Sequence, residues 1–64
     1  MTIETSFGIV TASESALNSL ALNLFMAAEA ARGVDAIHAE RYLEAAITIR
    51  NELENNKFYN IKGD

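Results

Sequence analysis

Residues 20–35, LALNLFMAAEAARGVD, are apolar on nearly every side of a helix until its last turn, yet they sit in a chain of 64 residues without a cysteine. A helix of this kind needs more covering than so short a chain supplies. A domain of this size buries only about 60 % of the surface its unfolded chain exposes. Below ~70–80 residues a lone core seldom supplies more than ~3–5 kcal/mol, and small scaffolds add disulfides, a metal or a second chain. Without cysteine there is no disulfide frame, and the single histidine, His38, has no second histidine at ligand spacing, so no zinc knuckle is expected. A second chain remains.

Charge narrows the partners. Nine Asp and Glu stand against five Lys and Arg, a net charge of −4, which disfavours salt-driven binding to long DNA or RNA. A small anionic ligand held by a few placed arginines is still compatible. Asn18, Ser19, Asn23 and Glu29 interrupt the apolar segment, so no membrane span is expected. The first ten residues, MTIETSFGIV, hold Glu4 and no basic side chain, unlike a secretory signal. The expected location is the cytoplasm.

Local signals divide the chain, read as one domain over 1–64, into an arm, two helices and a tail. Residues 1–10 mix Ile3, Phe7, Ile9 and Val10 with Thr and one Gly, which suits an extended arm better than a helix. Thr11 precedes Glu14 by three positions, the capping-box spacing, and Ala and Leu then dominate, predicting a first helix over 12–32. Gly33 after Arg32 predicts a left-handed C′ glycine, with Arg32 at the negative end of the helix dipole. Asp35 is a good N-cap for a second helix over 36–55, stopped by Asn55 and Asn56 and followed by a tail, 56–64. So short a connection makes the helices antiparallel neighbours. The expected fold is all-α: a two-helix hairpin with a short N-terminal arm, assembled into a homo-oligomeric helical bundle.

At about 100° per residue, Leu17, Leu20, Leu24, Ala28 and Ala31 form one stripe of the first helix, with Ala21 and Ala27 at its edges. The matching stripe of the second helix is Ala39, Tyr42, Leu43, Ala46, Ile49 and Leu53, opposite Glu40, Glu44, Thr48 and Asn51. Leu22, Phe25 and Met26 fall on the far side of the first helix. Leaving each of them wet forfeits roughly 1.5–3 kcal/mol. They are the predicted oligomer interface, buried against symmetry mates or against a foreign protein.

Catalytic signals are weak: there is no Gly-rich phosphate loop, no Cys nucleophile, no metal-ligand cluster and no paired histidines. The expectation is a protein that is not an enzyme, with no catalytic residues, no metal and no cofactor. His38 beside Asp35 or Glu40 reads as an exposed or capping residue, and Glu40 with Glu44 as a solvated face. The cations say more. Arg50 falls at the edge of the second apolar stripe, where its stem packs while its head holds a phosphate or an intersubunit carboxylate. Arg32 and Arg41 lie near the turn, and Arg41 adjoins Tyr42, a pairing that suits a base stacked over a phosphate as well as ordinary core packing.

The stretch RYLEAAITIRNELE, with Leu43, Glu44, Ala46, Ile47, Ile49 and Asn51, resembles the second-helix motif of the phage anti-CBASS and anti-Thoeris cyclic-nucleotide sponges, which share a helical hairpin domain. The preceding DAIHA and the Ala-Leu-rich first helix are also similar, so the likeness covers about residues 14–54. Ile49 stands where Trp is common, Val34 replaces an arginine, and the chain is shorter than typical members. The resemblance implies a non-catalytic phage protein acting in the host cytoplasm. It would hold cyclic di- or trinucleotide signals in pockets between protomers, out of reach of immune effectors. Candidate ligand-binding residues are Arg32, Arg41 and Arg50 for phosphates, with Tyr42, Phe58 and Tyr59 for bases. The competing reading is a homo-oligomeric hairpin that inhibits or scaffolds a partner protein.

Overall fold

The structure, a computed structural model, describes residues 1–62, with side chains described as far as Asn56. It corrects the arm first. Residues 1–11 form an antiparallel β-hairpin of strands β1 (Thr2–Thr5) and β2 (Gly8–Thr11), in which Thr2 faces Thr11, Ile3 faces Val10, Glu4 faces Ile9 and Thr5 faces Gly8. The fold is therefore mostly helical with a small two-stranded sheet. The turn is built by Thr5, whose Oγ1 accepts from the Phe7 amide at 3.1 Å and donates to the Gly8 carbonyl at 2.8 Å. Neither Ser6 nor Phe7 has a positive φ, whereas Gly8 takes φ +114°; a glycine after the turn absorbs the strain that L side chains resist. Paired Thr2 and Thr11 hydroxyls, 3.0 Å apart, close the open end.

Helix α1 spans Glu14–Ala31 and is capped by Ser13, whose Oγ accepts from the Ala16 amide at 3.2 Å. Ser13 thus replaces the expected Thr11, because Thr11 is held in β2. The chain leaves α1 through Arg32, in right-handed helical geometry, with the amides of Val34 and Asp35 both donating to the Ala31 carbonyl. Gly33 has no positive φ; the doubled bond to Ala31 closes the helix without a left-handed residue. Helix α2 spans Ala36–Lys62, capped by Asp35, whose Oδ1 accepts from the His38 amide at 3.2 Å. It continues past the predicted stop at Asn55 and Asn56. The Asn56 amide side chain donates to Glu14 Oε2 at 2.6 Å, tying the helices together instead of competing for its own backbone.

The core is Ile3, Leu17, Ala21, Ile49 and Leu53, with Val10, Ala12, Leu20 and Leu24 packed against it. Ala28, Ala39, Ala45 and Ala46 are also buried, so small side chains line both helices along their seam. Period-2 alternation places Ile3 and Val10 against the helices while Ile9 is 69 % exposed. On α2 the buried stripe is rotated from the expected one: Ala45 is buried and Leu43 is 42 % exposed. The β-hairpin causes this, since it covers the side of α2 that carries Ala45 and Tyr42.

Candidate functional site

With the sheet on one side, the opposite side of the helix pair is bare. Leu22 is 61 % exposed, Met26 63 %, Phe25 37 % and Ile47 45 %. Leu43 joins Phe25, Ala28 and Ala39 around a groove of about 380 Å³ whose rim carries Glu29, Arg32 and Glu40. A second cleft of about 300 Å³, lined by Asn18, Ser19, Leu22, Phe25 and Arg50, continues the same face. The exposure of Leu22, Phe25 and Met26 within one chain is as the helical periodicity indicates. Leu43 and Ile47 extend the patch; Leu43 belongs to the stripe expected inside the hairpin, and the sheet on the Ala45 side of α2 leaves it outside.

The candidate ligand residues are not gathered at one point. Arg32 pairs with Glu29 one turn earlier, both largely exposed, an arrangement worth little on a wet surface. Arg50 donates to Asn18 Oδ1 at 2.6 Å across the bare face. Phe58 and Tyr59 have side chains outside the described residues. Among the described candidates, Arg41 and Tyr42 come together through a shared neighbour, Phe7, on the sheet side. There Phe7 stacks on Tyr42 with ring centroids 5.4 Å apart and 27° between planes. The Arg41 guanidinium lies 4.9 Å from the Phe7 ring centre and donates to the Ser6 carbonyl at 3.2 Å, while the Ser6 hydroxyl donates to the Arg41 carbonyl at 3.1 Å. The turn of the sheet is thereby pinned to α2, and it delivers an aromatic ring and a guanidinium to one corner. Phe7 is the residue that sequence reasoning passed over; its signal was its place in a two-residue turn between the four-residue runs TIET and GIVT.

One turn before this corner, His38 Nδ1 lies 2.6 Å from Asp35 Oδ2. The backbone amide of His38, and then its ring, hold the Asp35 carboxyl below its usual value. Both side chains are about half exposed, and the pair serves as a cap. Among the described residues no group of three His, Cys, Asp or Glu side chains could hold a metal ion, and no described helix is long and apolar enough to cross a membrane. The chain matches no known protein family, no curated protein and no solved structure.

Proposed function

We propose that the protein works by binding and not by catalysis: a self-associating helical hairpin that sequesters a cyclic oligonucleotide, as the likeness of its second helix to the phage sponges implies. The observation that carries this reading is the corner of Arg41, Phe7 and Tyr42. A cyclic nucleotide presents phosphates and flat bases; the corner offers a guanidinium that is anchored on the Ser6 carbonyl and has no carboxylate partner among the described residues, beside two stacked rings. Such a site needs a few convergent donors and a stacking surface, so the acidic balance of the whole chain is no obstacle. Self-association engages the other side of the molecule, the bare face around Phe25, so the proposed site lies within one protomer and departs from the pockets between protomers that the resemblance implies.

Isothermal titration against a panel of cyclic di- and trinucleotides tests the reading. A charge-assisted contact is worth about 1.5–3 kcal/mol, so Arg41→Ala weakens binding by roughly ten- to a hundredfold. Arg32→Ala, whose guanidinium is already engaged by Glu29, leaves it nearly unchanged. Ligand recovered after heat denaturation is chemically intact. If no cyclic nucleotide binds at high micromolar concentration, or if Arg41→Ala binds like the unaltered protein, the sponge reading fails. The exposed Leu22, Met26 and Ile47 then favour the second reading, a hairpin that docks a partner protein.

A further inference from the structure

The bare face carries charge in an order that selects its own covering. We infer that it is occupied by a second copy of this chain, turned antiparallel about a twofold axis perpendicular to the helices. The inference deepens the self-association in the proposal above and is independent of the nucleotide.

A helix rises about 1.5 Å per residue, which sets the heights of the face residues above the interhelical turn, counted back from Gly33 along α1 and forward from the cap Asp35 along α2. Arg32 and Ala36 lie within about 2 Å of it, and Glu29 and Glu40 at about 6–8 Å. Phe25 and Leu43 follow at about 12 Å, then Leu22 and Ile47 at about 17 Å. Arg50 and Asn18, already bonded to each other, come at about 22 Å, and Glu14 and Glu54 at about 28 Å. These last two line one cleft with Arg50 and Asn18.

A twofold axis through the middle of the apolar band, at about 14–15 Å on this scale, exchanges the two ends. Leu22 and Ile47 of one copy then meet Phe25 and Leu43 of the other, closing the apolar band. Arg50 arrives at the level of the other copy's Glu29 and Glu40, and Arg32 at the level of its Glu14 and Glu54. Both arginine layers fall on glutamate layers, twice over by symmetry. The parallel alternative, with the axis along the helices, brings the Arg50 level onto the other copy's Arg50 level and the Glu29 and Glu40 level onto its like. Opposite charges across an interface fix register, and like charges exclude the wrong one; the apolar band alone would not distinguish the two arrangements.

Charge exchange tests this directly. In sedimentation at low salt, the unaltered protein is a dimer at micromolar concentration. Arg50→Glu and Glu40→Lys each weaken self-association by about tenfold or more, because each symmetric dimer then faces like charges. Mixed one to one, they form a heterodimer tighter than either variant alone, since the reversed Arg50 site meets the reversed Glu40 site. Both positions are exposed, and far-UV circular dichroism of each variant verifies its helices. If the variants dimerise like the unaltered protein, or if mixing restores nothing, the antiparallel arrangement is overturned while self-association stands. A monomeric unaltered protein overturns both, and neither result bears on cyclic-nucleotide titration.

Discussion

At the scale of single residues, the two interior glycines look alike in the sequence and differ in the fold. Gly8 sits at φ +114°, and Gly33 has no positive φ and open space where a Cβ would stand. Gly33→Ala therefore stabilises, by ~0.4–1 kcal/mol, through the lower entropy of the unfolded chain. Gly8→Ala destabilises by about 1 kcal/mol or more, through backbone strain. Paired urea denaturations check the opposite signs. The residues flanking Gly33 favour a left-handed glycine, but two bonds to the Ala31 carbonyl, from the amides of Val34 and Asp35, decide the turn, and nothing in the local sequence marks them. Where periodicity fixes an environment, residues were legible: Leu22, Phe25 and Met26 stand exposed on one chain. Arg41 and Tyr42 were singled out by adjacency alone, and the ring that joins them, Phe7, came from a distant part of the chain.

At the scale of elements, both helices were legible because Ala and Leu propensity, a cap and a turn agreed. Their ends were less so: Ser13 capped in place of Thr11, and α2 ran past its asparagines because Asn56 found Glu14. The strands were missed because four-residue runs give a weak alternation signal, and their register depends on burying Ile3 and Val10 against helices formed later in the chain. The start of α2 offers a pH test. Asp35 accepts from the His38 amide and its ring, and its carboxyl titrates below the usual value. A lowered folded-state value means that the cap contributes stability above the unfolded carboxyl range, and that this contribution is lost as pH falls through the folded value. Thermal unfolding of the unaltered protein therefore falls more steeply on acidification below about pH 4 than that of Asp35→Asn, which keeps a neutral cap acceptor. Equal acid slopes for the two proteins would show that Asp35 contributes nothing to the pH dependence.

At the scale of the whole molecule, a small sheet covers one side of a helix pair and leaves the other bare, with Leu22, Phe25 and Met26 of the apolar first helix exposed; that is the face on which we propose a second copy packs. The sheet reaches its place through Ile3, only 2 % exposed in a cluster with Ile49 and Leu53. Ile3→Ala leaves a cavity at that junction and costs ~2–5 kcal/mol, a large share of what so small a core supplies, as equilibrium urea unfolding of the variant measures. The same junction bears on time. Each hairpin closes on itself through a turn of a few residues, whereas Ile3 and Leu53 stand about fifty positions apart, and joining distant positions is entropically slow. The expected order is that the helical hairpin forms early and the β-hairpin docks last. In stopped-flow experiments Ile3→Ala accordingly accelerates unfolding while barely slowing folding, which makes the docked strand the latch whose release governs how long the native state survives.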